Sequence, residues 1–267
     1  MAKLTLKELR DMKKDPNHRK LIAVNTGEMF VAAAAAEAGV DYIGFGMDRP
    51  VDMAVPELRE VRRVVPDTLI CTPLFKESSI SSDEAALRDA VRLLENGADV
   101  IYCTGMPIER IKLLTKHHIP CVGHLGLKPY FASWTGGFRA VGKTVEQAEE
   151  VFEEAMELNE AGVFFAEVEC VPHQLADYIT KKVDFITLSM GSGAGCDAQF
   201  LFACDLLGAT NVHYPRHSKK YDDFYGRSVE VFRQFIVESS TGVYPASEHM
   251  IEMPEHTYKE FFSKHSF

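Results

Sequence analysis

Two glutamates separated by a single residue, Glu167 and Glu169, lie inside the apolar run Val163-Phe-Phe-Ala-Glu-Val-Glu-Cys170. Side chains two positions apart on a β-strand point to the same side, so both carboxylates would face one side of a strand. Two carboxylates this close in a low-dielectric pocket would share a proton, bind a metal, or divide into one base and one neutral acid. Alternatively, one of them lies in solvent above the strand or pairs with an arginine such as Arg139. The pair is the first candidate for catalytic chemistry.

His124 and a glycine-rich loop are the next candidates. His124 stands between small residues in Gly123-His-Leu-Gly126, which leave room for a ligand; the alternative is a buried structural histidine. Ser189 precedes the loop Met190-Gly-Ser-Gly-Ala-Gly195, whose backbone N–H groups suit an anion. The loop is not a phosphate-binding fingerprint, so Ser189 and Gly193 are only candidates for substrate binding.

Eight short apolar runs alternate with amphipathic helical stretches, the pattern of βαβ units around a parallel sheet. Several helical stretches end in Ala-Gly or Asn-Gly, which fits the left-handed position that ends a helix. The pattern predicts an α/β fold, a (β/α)8 TIM barrel, with an open doubly wound sheet as the alternative. The predicted strands are 21–25, 42–46, 69–74, 100–104, 120–125, 163–170, 185–189 and 200–204, and the predicted helices 28–38, 56–64, 82–96, 107–117, 145–161 and 172–181.

One domain is predicted for residues 1–267, with the barrel at about 20–210. The C-terminal part, about 215–267, carries two further helical patterns, over 221–238 and over 252–267. Such segments cap a barrel or pack on a neighbouring subunit, and a homo-oligomer is expected.

A barrel places its catalytic groups at the C-terminal ends of the strands. Four more polar residues lie in the C-terminal part of a predicted strand or just after it and become candidates for substrate binding. They are Asp48, Thr72, Tyr102 and Thr104.

Composition excludes several classes of partner. The 39 acidic residues exceed the 29 lysines and arginines, giving a net charge of −10, so binding to the phosphate backbone of nucleic acid is not expected. No apolar run approaches the about 18 residues of a membrane span, and the charged N-terminus lacks a signal-peptide pattern. The six cysteines show no metal or disulfide spacing. We therefore expect a cytoplasmic protein that acts on a small molecule.

Several longer motifs resemble the ketopantoate hydroxymethyltransferase (3-methyl-2-oxobutanoate hydroxymethyltransferase) family. The resemblance extends from about residue 20 to 250. It implies a (β/α)8 barrel of the phosphoenolpyruvate mutase and isocitrate lyase superfamily, assembly into decamers, and transfer of a hydroxymethyl group from methylenetetrahydrofolate to a 2-oxo acid with Mg²⁺. The motifs are Gly123-His-Leu-Gly-Leu-Lys-Pro129, Gly136-Gly-Phe-Arg-Ala-Val-Gly-Lys143, Glu169-Cys-Val-Pro172, Gly193-Ala-Gly-Cys-Asp-Ala-Gln199, Asp205-Leu-Leu-Gly208, Pro215-Arg-His-Ser-Lys-Lys-Tyr221 and Thr241-Gly-Val-Tyr-Pro-Ala-Ser-Glu-His249.

The resemblance assigns the family's general base to Glu169 and its active-site histidine to His124. Its metal ligands do not carry over. Met47 occupies the position of the first metal-binding aspartate, unless a one-residue shift puts Asp48 there, and Thr72 occupies the second. On the fourth strand, Tyr102 and Thr104 replace the substrate-binding lysine and the metal-binding glutamate.

Threonine is a poor ligand for Mg²⁺ beside carboxylate oxygens, so the family's Mg²⁺ is not expected. Two alternatives follow: a site without metal, or a relocated metal held by Asp48, Glu167, Glu169 and His124. Methylenetetrahydrofolate is implied by the resemblance only.

The function expected is enolate chemistry, aldol or retro-aldol, on a small 2-oxo acid or related carbonyl compound, with Glu169, His124 and Glu167 as catalytic residues. One alternative is an inactive barrel that serves as a ligand-binding or assembly protein. The other is an authentic 3-methyl-2-oxobutanoate hydroxymethyltransferase.

Overall fold

The computed structural model describes residues 3–15, 17–46, 48–74 and 76–265. Eight parallel strands form a closed barrel in chain order, and β8 pairs with β1. The predicted (β/α)8 barrel is thereby confirmed. The strands are β1 (Leu21–Thr26), β2 (Tyr42–Phe45), β3 (Leu69–Pro73), β4 (Val100–Tyr102), β5 (Cys121–Gly126), β6 (Phe165–Glu169), β7 (Ile186–Met190) and β8 (Ala198–Phe202).

Helices connect most of the strands and surround the barrel, and two more follow it. In chain order they are α1 (Leu6–Lys14), α2 (Met29–Glu37), α3 (Val51–Val64), α4 (Lys76–Ser81), α5 (Asp83–Glu95), α6 (Ile108–Lys116), α7 (Val145–Glu160), α8 (His173–Thr180), α9 (Ala203–Leu207), α10 (Phe224–Thr241) and α11 (Glu255–Lys264). Short 3-10 turns lie at Pro129–Phe131 and Ser247–His249.

Two predicted boundaries were wrong. The eighth strand ends at Phe202, because Ala203–Leu207 already form α9. α3 begins at Val51 and encloses Pro56. The sequence prediction used that proline as a helix start, but the buried face of Val51, Leu58 and Val61 holds the helix together across it.

The core has two layers. Side chains at alternate strand positions fill the barrel, among them Leu21, Val100, Val122 and Phe165. The other positions pack against the surrounding helices. Leu9 of α1 is fully buried in the inner layer, so α1 closes the N-terminal end of the barrel.

The C-terminal helices pack differently from the barrel helices. Over their described lengths α10 and α11 contain no buried residue, although Phe232, Phe235 and Ile236 of α10 are apolar. Over their described lengths these helices therefore bury no apolar face against the barrel. No helix in the described residues combines the length and the apolarity that a membrane crossing needs.

Candidate active site

A cavity of about 420 Å³ opens at the C-terminal end of the barrel. It collects polar groups from β4, β5 and β6 and surrounds them with aromatic rings. Its lining comprises Asn25, Tyr42, Gly44, Phe45, Gly46, Asp48, Cys71, Pro73, Tyr102, Thr104, His124, Pro129, Tyr130, Glu167, Glu169, Phe200 and Phe202.

The strand register brings Glu167, Glu169 and His124 together. His124 on β5 is paired with Glu167 on β6, and Glu169 lies two positions further on the same side, as the spacing predicts. Potential ligand atoms of the three side chains lie within 4.8 Å of one another. All three residues are buried.

His124 is held at both ring nitrogens. Its Nε2 lies 2.7 Å from the carbonyl oxygen of Leu127, which can only accept, so Nε2 carries a proton. The same nitrogen lies 3.2 Å from Oε2 of Glu169. Nδ1 faces two hydroxyls, that of Tyr102 at 2.7 Å and that of Thr104 at 3.0 Å. Burial alone lowers the pKa of His124, but attraction to Glu167 and the contact with Glu169 outweigh it, and the pKa is raised.

Glu167 accepts a hydrogen bond of 2.6 Å from the hydroxyl of Tyr102 at Oε2. Burial raises the pKa of the Glu167 carboxyl, and repulsion from Glu169 adds to the rise, while His124 and the Tyr102 hydrogen bond oppose it. Burial and the neighbouring Glu167 also raise the pKa of Tyr102 well above its usual value. Tyr102 is therefore a neutral phenol that donates to the carboxylate.

Each of the two glutamates has one carboxylate oxygen that faces the cavity. Oε2 of Glu167 and Oε2 of Glu169 have the contacts just described, whereas the second oxygens have no protein hydrogen-bond partner among the described residues. Since no deeply buried polar side-chain atom in that part of the chain lacks a partner, these oxygens reach the open space. They are the groups that a ligand would meet.

A glycine fixes the backbone beside Glu169. Gly126 has φ +84, and a Cβ there would lie 2.3 Å from the Glu169 carbonyl oxygen and 2.5 Å from Cγ2 of Val171. Only glycine combines this conformation with such an approach. The next residue, Leu127, donates its N–H to the same carbonyl at 2.9 Å and offers its own carbonyl to His124. One turn therefore positions both functional side chains.

Thr72 does not lie where the sequence prediction placed it. The inward positions of β3 are Leu69 and Cys71, and within the described chain the cavity is lined by Cys71 and not by Thr72. Cys71 is therefore the interior residue at this level of β3. Burial raises the pKa of the Cys71 thiol to about 12, so it is not a nucleophile.

The glycine-rich loop after β7 lies outside the cavity lining that the described residues form. Ser189 donates to the Gly193 carbonyl at 2.8 Å, so both candidates serve the loop itself. A Cβ at Gly191 would meet His217, one at Gly193 would meet His173 and one at Gly195 would meet Asp177. The glycines permit close packing, and the predicted contact of Ser189 and Gly193 with substrate finds no support.

Asp48 lies on the cavity wall near its mouth. Its carboxylate accepts the backbone N–H of Lys76 at 2.8 Å and the hydroxyl of Tyr130 at 3.2 Å. Met47, the alternative for the same family position, lies outside the described residues.

Several lining residues were missed by the sequence reading. Asn25 lies one residue before the end of β1 and points inward, and Gly44 leaves room for its side chain, since a Cβ there would lie 2.7 Å from Asn25 Nδ2. Its polarity near a strand end was an available signal. The aromatic residues Tyr42 and Phe200 carried no such signal, because aromatic side chains in strands are ordinarily core residues, and Tyr130 lies in the 3-10 turn that follows β5.

The family's Mg²⁺ does not fit the side chains present here. Thr72 is directed away from the cavity, Thr104 offers only a hydroxyl, and Asp48 is already hydrogen-bonded. Among the candidate ligands of a relocated metal, His124 presents no free nitrogen to the described part of the cavity, since one nitrogen donates to Leu127 and the other faces two hydroxyls. Of the three clustered residues His124, Glu167 and Glu169, only the two glutamates therefore offer a free ligand atom, and neither occupies a metal-ligand position of the family.

Comparisons with known proteins identify relatives of the chain. Residues 3–247 match the family model described as ketopantoate hydroxymethyltransferase. A 3-methyl-2-oxobutanoate hydroxymethyltransferase of Methylibium petroleiphilum is 30% identical over 98% of this chain and 93% of its own. One from Pyrobaculum neutrophilum is 36% identical over 83% and 90%.

Among solved structures, 2,3-dimethylmalate lyase, a member of the PEP mutase/isocitrate lyase superfamily, superposes with a TM-score of 0.59 at 11% identity. The match covers 98% of this chain and 96% of the lyase. At that identity the likeness supports the barrel fold alone.

Proposed function

Because the chain belongs to the ketopantoate hydroxymethyltransferase family, we propose that it is a hydroxymethyltransferase-like enzyme that forms an enolate from a small carbonyl compound. The members it resembles, and the lyases that share its fold, are enzymes. The observation that carries the proposal is the free oxygen of Glu169, which reaches the cavity while its other oxygen contacts His124. A carboxylate held in this way can act as a general base.

In the proposed reaction, Glu169 removes a proton from the carbon next to the carbonyl group. The C–H electron pair moves into the new C=C bond, and the carbonyl oxygen takes the negative charge. The Thr104 hydroxyl, which lies at the same end of the barrel, can donate to that oxygen, because the one proton of Tyr102 is donated to Glu167. The enolate carbon then attacks a carbon electrophile in an aldol addition, or the same steps run in reverse.

The proposal uses no metal, because the side chains do not supply a metal site. Elemental analysis of the purified protein tests this point. A stoichiometric divalent ion that is lost on Glu167→Ala would establish the relocated site instead, whereas an active enzyme without metal would rule that site out.

Deuterium exchange at the carbon next to the carbonyl group, followed by NMR across a panel of 2-oxo acids and neutral ketones, tests the enolate step. Glu169→Gln should slow exchange by about 10² to 10⁴-fold, the contribution typical of a general base. Glu157→Gln on α7, an exposed glutamate, is the matched control and should exchange like the wild type. If the wild type exchanges no compound of the panel, the barrel is a binding protein and the proposal fails.

An authentic 3-methyl-2-oxobutanoate hydroxymethyltransferase is not favoured. The lysine and the carboxylates that the family resemblance implies for that substrate are replaced by Tyr102, Thr104 and Thr72. The enzyme reaction proposed here therefore differs in substrate from that of the named relatives.

We also propose that the protein is a homo-oligomer. Its support is the row of exposed apolar residues on α10, where Phe232 is 66% exposed and Ile236 is 63% exposed. Apolar surface of this extent is favourable to bury against a neighbouring subunit.

A further inference from the structure

The charge of the cavity is negative where a 2-oxo acid would need a positive group. Two glutamates, Glu167 and Glu169, lie in the lining, and among the described residues that line it there is no lysine or arginine. The charge on His124, when protonated, is balanced by Glu169 at 3.2 Å. Glu167 has only the neutral Tyr102 hydroxyl as its donor. An anionic substrate would therefore meet a surplus of negative charge.

The cationic side chains around the mouth of the cavity contact other groups of the protein. Arg49 pairs with Glu57 at 2.6 Å, and Lys128 pairs with Glu154. The ammonium group of Lys76 lies over the ring of Tyr130, 4.7 Å from its centre, at the rim and outside the lining. A substrate carboxylate placed beside Glu167 would remain unpaired, and burying an unpaired charge is strongly unfavourable.

Aromatic rings make up much of the remaining wall. Tyr42, Phe200 and Phe202 come from β2 and β8, and Tyr102 and Tyr130 from the opposite side of the lining. The electron-rich face of an aromatic ring attracts a cation within about 6 Å. Rings and carboxylates together form the surroundings that an organic cation prefers.

We propose that this site selects a carbonyl compound with a protonated amine on the carbon next to the carbonyl group, in place of the carboxylate of a 2-oxo acid. The inference rests on the proposed enolate function and names its substrate class. The ammonium group would donate to the free oxygen of Glu167. The carbon that bears it would face the free oxygen of Glu169.

The spacing of the two glutamates suits this substrate. One oxygen of Glu167 lies within 4.8 Å of one oxygen of Glu169, so an ammonium nitrogen and the C–H on its own carbon can each reach one of the two carboxylates. When Glu169 takes the proton, the C–H electron pair forms the C=C bond of the enolate. The carbonyl oxygen becomes negative, and only two carbon atoms separate it from the ammonium nitrogen. The substrate thus carries the positive charge that stabilises its own enolate, which in the family resemblance is the task of the metal.

Three ketones with the same three-carbon skeleton test the proposal: aminoacetone, hydroxyacetone and pyruvate. Calorimetric titration of the full-length protein, after treatment with a chelator, should give the affinity order aminoacetone, hydroxyacetone, pyruvate. Loss of one partner of a buried charge pair typically costs enough to change affinity by about 30-fold or more. Glu167→Gln should therefore weaken aminoacetone by about that factor, leave hydroxyacetone nearly unchanged and tighten pyruvate.

Two further variants keep the test decisive if Glu167→Gln does not fold. Phe200→Leu removes one ring at similar volume and should weaken aminoacetone more than hydroxyacetone. Lys76→Met should leave aminoacetone binding unchanged. If Lys76→Met instead abolishes pyruvate binding that is tight in the wild type, the rim lysine binds an anion and the proposal is overturned.

The amine-substrate proposal and the enolate proposal can fail independently of each other. Aminoacetone binding without deuterium exchange would retain the charge selectivity and refute the enolate step. Exchange of pyruvate together with tighter pyruvate binding would retain the enolate step and refute the amine substrate.

Discussion

The Tyr102 hydroxyl lies between the carboxylate of Glu167 and the imidazole ring of His124. It donates to Glu167 at 2.6 Å and lies 2.7 Å from Nδ1 of His124. Thr104 provides a second hydroxyl for the same nitrogen, at 3.0 Å, so His124 keeps a partner whichever way Tyr102 points. The Tyr102 phenol on β4 therefore contacts both Glu167 on β6 and His124 on β5.

Tyr102→Phe should raise the pKa of Glu167 further, because the hydrogen bond that favours the ionised carboxylate is lost. The variant should also lose about 1 to 3 kcal/mol of unfolding free energy, the cost of leaving a buried polar group without its partner. A carboxyl-carbon NMR titration and chemical denaturation measure the two effects. Tyr178→Phe, at a half-exposed ring on α8, is the control. An unchanged Glu167 titration in Tyr102→Phe would show that the hydrogen bond is not formed.

Glu167→Gln should become more stable relative to the wild type as the pH rises. Burial raises the pKa of Glu167 in the folded protein, so the stability that its protonated form contributes is complete below the unfolded pKa and is lost as the pH rises through the folded pKa. The raised pKa of His124 depends on Glu167 and acts in the same direction. Denaturation of both proteins from pH 4.5 to about pH 8 measures the difference. Glu157→Gln should follow the wild type throughout, and a difference that shrinks with pH would contradict the assignment.

At the scale of the element, the turn after β5 decides whether base and histidine meet. Gly126→Ala should destabilise the fold in two ways, by the left-handed conformation and by the overlap with the Glu169 carbonyl. Gly137 also has a positive φ, of 111°, but a Cβ there would meet nothing within 4 Å, so Gly137→Ala is a matched control for conformation alone. Gly126→Ala should cost about 1 to 3 kcal/mol more than the control, the range for overpacking, and should lose exchange activity. Equal denaturation midpoints would refute the close approach.

Strand alternation predicts which side chains point into the barrel for some strands but not for others. On β6 the polar residues stand at alternate positions, so the shared direction of Glu167 and Glu169 was predictable. On β3 the run around Thr72 is apolar on both faces, because a parallel strand packs against the interior and against helices, and the inward place of Cys71 could not be inferred. Glycine spacing likewise did not distinguish a loop that binds an anion from one that packs against His173 and Asp177.

α1 was predictable in principle and was missed. Thr5 and Glu8 form a capping box, with the Thr5 hydroxyl accepting the Glu8 N–H and the Glu8 side chain accepting the Thr5 N–H. Leu9 follows inside the helix that these residues start. The prediction followed only the alternation of strands and helices and therefore left this segment outside the barrel. In the structure the segment closes the N-terminal end of the barrel.

At the scale of the whole molecule, the C-terminal helices differ from the barrel in burial. The buried apolar core extends over residues 21 to 207 together with Leu9 of α1, whereas α10 and α11 contain no buried residue over their described lengths. The helical patterns were predictable from the sequence. The lack of an intramolecular partner was not, because periodicity shows an apolar face without showing what covers it.

Phe232→Glu on α10 should reduce the oligomer to smaller species, because a charge in a buried apolar contact is costly. Light scattering coupled to size-exclusion chromatography measures the mass. Gln234→Glu adds the same charge two residues away on another side of α10 and should leave the mass unchanged. A monomeric wild type, or an unchanged mass in Phe232→Glu, would refute packing through α10.

Closure of the N-terminal end by α1 has a kinetic consequence. With Leu9 buried in the inner layer, the residues that the structure describes leave the cavity open at its C-terminal end, so arriving and departing molecules use the same passage beside Tyr130 and Phe202. A product still in that passage excludes the next substrate. Product inhibition should therefore be competitive with the substrate that enters first, because both molecules bind the same free enzyme, and product release through this one passage should limit turnover at high product concentration.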